Sequence, residues 1–251
     1  PQKGITFLSG NPSSGKSWLM LEIAKVIGSN RFFLDHPHFN TQETRVLYLD
    51  EESFLAETQR RIKMLDYPPS SLVDFMTLQG FKIDDDEQRK ALLDLCKYRS
   101  YGLVIIDSFR DIHSLNENDS AEAQRLMDYF KEFTKNNITL LISHHHRKEY
   151  FTSSDAPTQT LRGSTAILAG IDSLLSVEKI KSNDDYIEMI ISQNKLRQGK
   201  AYKSFRTGLI EKEGKSEDVY KEIKSLSPIE LKKWIKSKNY PTDNIYAMAF
   251  W

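Results

Sequence analysis

GNPSSGKS, from Gly10 to Ser17, is the stretch that decides the fold. It fits the pattern G-x-x-x-x-G-K-[ST] and lies between a strand-like apolar run, ITFLSG from Ile5, and a helix-like one, WLMLEIAKVIG from Trp18. Glycines at both ends let the backbone curl until its N–H groups point inward at a polyphosphate, and the helix that follows adds its positive end. The candidate nucleotide-binding residues are therefore Gly10, Asn11, Pro12, Ser13, Ser14, Gly15, Lys16, Ser17 and Trp18. Lys16 is expected against the β- and γ-phosphates of a nucleoside triphosphate and the Ser17 hydroxyl on Mg²⁺. A Gly-rich turn that holds no ligand is the alternative.

Outward from this loop, short apolar runs alternate with helix-length segments as far as Ser143. The strand candidates are ITFLSG, RVLYLDE from Arg45, VDFMTLQ from Val73, LVIID from Leu103 and ITLLIS from Ile138. Continuous apolar runs suit strands buried on both faces, and their alternation with helices predicts an α/β fold with a mostly parallel central sheet. Ala123, Leu126, Met127, Phe130 and Phe133 recur at helical spacing and give one helix a stripe to lay on that sheet. After Ile171 the connections shorten: DSLLSVEK, DYIEMIISQNK and AYKSFRTG suit antiparallel strands. The segments EDVYKEIKS, SPIELKKWIKSK and TDNIYAMAFW predict three short helices, so residues 1–210 are expected to form the main domain and 211–251 a small helical tail.

LVIID delivers Asp107 to the C-terminal end of a buried strand, where a carboxylate would help hold Mg²⁺; a capping role is the plainer alternative. RVLYLDEES ends another strand with Asp50, Glu51 and Glu52. Hydrolysis needs a carboxylate to orient water, and alternation puts Tyr48, Asp50 and Glu52 on one face and Glu51 on the other. Glu52 is the first candidate for general base and Glu51 the second; acids that merely complement a helix dipole are the alternative. Three consecutive histidines, His144 to His146, cannot converge on one ion, because successive strand side chains point to opposite faces.

Composition narrows the class further. Hydrophobic residues make up 39% and charged residues 28%, which excludes collagen-like, disordered and wholly membrane-embedded chains. The single cysteine, Cys96 in LLDLCKY, cannot form an internal disulfide and reads as a small core residue. With no signal peptide and no disulfide framework, the expected compartment is the cytoplasm. Net charge is zero, yet Lys195 to Trp251 carries 13 basic and 7 acidic side chains, and the remainder 22 and 28. A basic tail is either a solvated surface or an electrostatic footprint for nucleic acid.

Taken together, GNPSSGKS, YLDEE, LVIID and LLISHHHRK resemble the RecA-like P-loop ATPase core, in particular the RepA-like hexameric replicative helicases of plasmids and phages. The resemblance spans residues 4 to 209 and implies ATP and Mg²⁺ as ligands, Glu52 as the catalytic acid and His144 as a sensor of the γ-phosphate. LRGSTAILAG, with Arg162, Gly163 and Ser164, resembles the family segment that follows a mobile DNA-facing loop. SQNKLRQGK resembles a hairpin whose basic residues, here Lys195 and Arg197, reach the nucleotide of the neighbouring subunit of a homo-oligomeric ring. A cation supplied from another chain would neutralise charge developing at the γ-phosphate and make hydrolysis conditional on assembly. A basic turn on a solvated surface is the alternative.

The N-terminal extension on which such rings assemble does not precede the core here, so a fragment is expected. The tail does not match the family core, and a truncated helix-turn-helix is one reading of it. ATP is preferred to GTP by resemblance, since no N-K-x-D motif follows LVIID. The function expected is a ring motor on single-stranded DNA, gripping it through Arg147, Lys148, Tyr150 and Phe151 by phosphate contact and base stacking. A RecA-like recombinase filament and a slow nucleotide-dependent regulatory module are the competing functions.

Overall fold

The computed structural model of the protein describes residues 2–35, 41–145, 165–182, 186–197, 199–210 and 245–249. Five parallel strands carry the site: β1 (Ile5–Gly10), β2 (Arg45–Asp50), β3 (Val73–Thr77), β4 (Tyr101–Asp107) and β5 (Thr139–His145). They are joined through helices α1 (Lys16–Ile27), α2 (Leu55–Met64), α3 (Asp86–Arg99) and α4 (Ser120–Lys135). A short helix, α5 (Thr165–Gly170), precedes β6 (Ser173–Ser182), which pairs parallel to β1. β7 (Tyr186–Leu196) runs antiparallel to β6, and β8 (Phe205–Ile210) antiparallel to β7. The order across the sheet is β3-β2-β4-β5-β1-β6-β7-β8-β9, with β9 (Ile245–Ala249) parallel to β8.

Both faces of the parallel strands are buried, as their unbroken apolar runs require. On one face Leu8, Tyr48, Ile105 and Leu141 meet Leu19, Met20 and Ala24 of α1. On the other, Phe7, Leu49, Ile106 and Ile142 meet the α4 stripe of Ala123, Leu126, Met127, Phe130 and Phe133, all of it buried. Asp85 caps α3 by accepting from Gln88 N–H, and Asp119 caps α4 by accepting from Ala121 and Glu122 N–H. Among the described residues no helix is long and apolar enough to cross a membrane.

Cys96 belongs to the second core face at 1% exposure, and burial pushes its thiol up to about 12. Because the thiolate is the reactive species, native protein should resist alkylation at neutral pH and become fully labelled only in denaturant. Mass spectrometry of iodoacetamide-treated protein checks this; rapid native labelling would contradict the packing described for α3.

The tail departs from expectation at its end. TDNIYAMAFW, read as a helix, contains strand β9, with Arg206 opposite Ile245 and Ile210 opposite Ala249. The edge of β8 offers a row of unpaired backbone groups, and pairing with it overrides the local helical pattern. The other two expected helices lie outside the described residues.

Candidate active site at the C-terminal edge of the parallel sheet

β1 ends at Gly10, and the chain then turns through the phosphate loop into α1. A Cβ at Gly10 would lie 2.6 Å from the Val177 carbonyl oxygen and 2.7 Å from Ser14 Oγ, so only glycine fits there. Gly15, just before α1, has φ of 93°, which favours glycine. Lys16 is buried, and its ammonium donates to the carbonyl oxygens of Gly10 and Asn11, each at 3.0 Å. Burial lowers its pKa, opposed by the charges of Asp107 and Glu52. The Ser14 hydroxyl is buried with no hydrogen-bond partner among the described residues.

Asp107 closes β4 at 1% exposure and accepts hydrogen bonds from Tyr48 (3.2 Å) and from Ser143 of β5. Those two hydroxyls leave Asp107 aimed at the space above the sheet edge that Lys16 enters. Ser17 at the start of α1 and Asp107 at the end of β4 form an oxygen donor set that suits a hard cation such as Mg²⁺. The buried, unpartnered Ser14 hydroxyl and the glycine-lined turn likewise fit a polyphosphate.

The three acids after β2 have separate fates. Asp50 is buried and builds the turn: Oδ1 accepts from the N–H groups of Glu52 (3.1 Å) and Ser53 (2.7 Å), and Oδ2 from Thr58 Oγ1 (2.9 Å). Glu51 turns toward the end of β3, where its carboxylate accepts from Gln79 N–H (3.1 Å) and Gly80 N–H (2.9 Å). Glu52 alone faces the phosphate loop. Partial burial raises its pKa, Asp107 and Asp111 raise it further, and Lys16 opposes them.

The histidines divide by strand parity. His145 is level with Gly10 across the β1–β5 register, and its Nε2 lies 3.9 Å from a Glu52 oxygen. Burial, then the Lys16 charge, hold its pKa below the ordinary value. His144, the residue expected to sense the phosphate, faces the opposite way at 2% exposure. Its ring is stacked 5.5 Å from Phe7 and lies 5.0 Å from Phe109. His145, Tyr48 and Ser143 are thus the site neighbours that the sequence reading did not select. Parity along β5 counted from Asp107 was the available signal, since Ser143 follows the Ile106–Ile142 pair and shares a side with Asp107.

Trp18 follows Ser17 and is half-buried, with the guanidinium groups of Arg60 and Arg61 at 5.7 and 5.6 Å from its ring. Lys195 and Arg197 lie elsewhere. Leu196 pairs with Ser173, which pairs with Thr6, four residues before Gly10 and about 13 Å back along β1. There Lys195 Nζ donates to the Leu168 and Ile171 carbonyl oxygens, the latter at 2.7 Å. Arg197, half-exposed, donates to the Ala169 carbonyl and approaches Asp172 at 3.5 Å. Arg147, Lys148, Tyr150, Phe151 and Arg162 lie outside the described residues.

The fold and the sequence were compared with known proteins. The ATPase domain of a phage replicative helicase superposes with a TM-score of 0.60 at 12% identity, covering 82% of this chain and 81% of that one. A DnaB-like replicative helicase matches at 0.59 and 14%, covering 82% and 55%. The flagellar accessory protein FlaH from Methanocaldococcus jannaschii matches at 0.55 and 17%, covering 82% and 85%. Identities this low show the fold alone: a RecA-like P-loop ATPase core with antiparallel C-terminal strands. No curated protein sequence matches. The family described as AAA domain matches residues 1–150, more than half of the sequence. The phosphate loop, the buried Asp107 and the Glu52 that faces them all fall within that match, and the chain belongs to the AAA domain family.

Proposed function

We propose that this domain hydrolyses ATP in an assembly of identical subunits and acts on single-stranded DNA, as a ring-forming replicative helicase or its motor domain. The observation that carries the reading is a division of labour within one chain. Lys16, Asp107, Glu52 and His145 gather at one edge of the sheet, while half-exposed Arg197 stands at the opposite edge, out of reach of its own phosphate loop. Such a cation serves a triphosphate only in a neighbouring subunit.

In this reading the loop N–H groups and Lys16 bind the phosphates, and Ser17 and Asp107 hold Mg²⁺, which when bound neutralises phosphate charge. Glu52 accepts a proton from the attacking water, and His145 orients that carboxylate. Arg197 meets the transferring phosphoryl group from the next subunit; Lys195, engaged by two carbonyls, holds the end of α5 in place. Single-stranded DNA is assigned to Arg147, Lys148, Tyr150 and Phe151, with Arg162, by their basic and aromatic chemistry. The likeness to a DnaB-like replicative helicase and to the ATPase domain of a phage helicase supports this reading.

Steady-state ATP hydrolysis measured against protein concentration, with and without single-stranded DNA, tests it. The expected result is a rate per subunit that rises with concentration and is stimulated by DNA. A flat rate indifferent to DNA would sink the proposal in favour of a regulatory nucleotide-binding module. Electron microscopy with ATP and DNA separates rings from filaments, and filaments would favour a recombinase.

A further inference from the structure

Between Ser114 and Ser120, in the surface turn that leads into α4, Glu117 is the single buried residue, at 3% exposure. A carboxylate is not removed from water without a partner of matching charge or polarity. The turn that carries it has independent ties. Asn116 Oδ1 accepts from Asn118 N–H at 3.1 Å, Glu122 accepts from Asn116 N–H at 2.6 Å, and Asp119 caps α4. The backbone thus presents Glu117 inward, and its Oε2 faces His144 Nε2 at 3.4 Å.

The other side of the His144 ring defines what Glu117 meets. His144 Nδ1 lies 2.7 Å from the His145 carbonyl oxygen. A carbonyl only accepts, so Nδ1 carries a proton and Nε2 is the atom turned to the acid. Phe7 and Phe109 clamp the ring, and His113 meets Phe109 edge-on at 4.6 Å. His145, whose carbonyl takes that hydrogen bond, is the residue whose own ring faces Glu52 at 3.9 Å. A chain of contacts therefore runs from the turn before α4 to the candidate general base.

We infer that Glu117 is a positioning residue: it orients His144, holds a proton between Nε2 and its own carboxylate, and through the His145 carbonyl sets the placement of His145 beside Glu52. This inference rests on the ATPase reading of the site for its effect on turnover, and on the geometry alone for the Glu117–His144 pair.

The test uses the full chain labelled with ¹⁵N at histidine, as wild type, Glu117→Gln and Glu117→Asp. Ring-nitrogen NMR without nucleotide is recorded beside kcat and KM for ATP. In Glu117→Gln the His144 Nε2 signal should move from the protonated toward the unprotonated position. kcat should fall about tenfold, the scale for a lost partner of a functional imidazole, with KM little changed. Glu117→Asp, which keeps the charge, should fall between the two and serves if the Gln variant does not fold. Unchanged His144 ring signals in the folded variants would overturn the pairing; moved signals with unchanged kcat would overturn its role in turnover. A wild type that hydrolyses no ATP would instead fail the functional proposal, leaving the NMR result to decide the pairing.

Discussion

A Glu52→Gln variant should bind ATP as the wild type does and hydrolyse it about a thousandfold more slowly, within the range of roughly 10² to 10⁴ that general-base catalysis supplies. Glutamine keeps the size and the hydrogen-bonding reach of the side chain and loses only its ability to take a proton. The control is its neighbour. Glu51 accepts hydrogen bonds from Gln79 and Gly80 N–H, so Glu51→Gln should lower the melting temperature while kcat stays within a fewfold of wild type. Stopped-flow nucleotide binding and single-turnover hydrolysis separate the two variants. If Glu51→Gln were the inactive one, the assignment of the general base would be reversed.

The pH dependence follows from the same carboxylate. Partial burial, with Asp107 and Asp111 close by, raises the Glu52 pKa in the free protein. A base must be ionised to act, so kcat/KM should be full above that raised value and fall as pH drops through it. The acid limb should therefore lie above the ordinary glutamate range, and it should be lost in Glu52→Gln.

Arg197→Ala should have the second large effect, a loss of about a thousandfold or more in assembled protein, the scale set by cations that reach a phosphoryl group from another chain. Nucleotide binding should persist, because Lys16 and the loop amides belong to the same chain as the bound phosphates. Lys195→Ala should behave differently. Its ammonium caps the Leu168 and Ile171 carbonyls, so the loss should appear first in the melting temperature and only secondarily in kcat.

Much of this was legible in the sequence because local pattern and tertiary demand agreed. The run ITFLSG is β1 to the residue, and the helical stripe from Ala123 to Phe133 is buried at every position. GNPSSGKS needs its glycines for reasons visible in the backbone, the crowding at Gly10 and the positive φ at Gly15. What was not legible turned on parity and on distant partners. Whether His144 or His145 faces the phosphate loop depends on the strand register with β1, which no local pattern contains. Glu51 and Glu52 differ because the end of β3 offers two free N–H groups to one of them. The segment around Ile245 has a helical pattern by itself and becomes a strand beside the edge of β8.

The central claim, an active site completed by a neighbouring subunit, is tested most directly by mixing two inactive proteins. Glu52→Gln supplies Arg197 but no base, and Arg197→Ala supplies Glu52 but no cation. At equal proportions, with co-assembly shown by co-purification of a tagged subunit, about a quarter of the interfaces in a randomly mixed closed ring contain both. ATP hydrolysis should recover to about that fraction of the wild-type rate. A co-assembled mixture as inactive as its components would contradict the account, because Arg197 would then not be serving the Glu52 site of its neighbour.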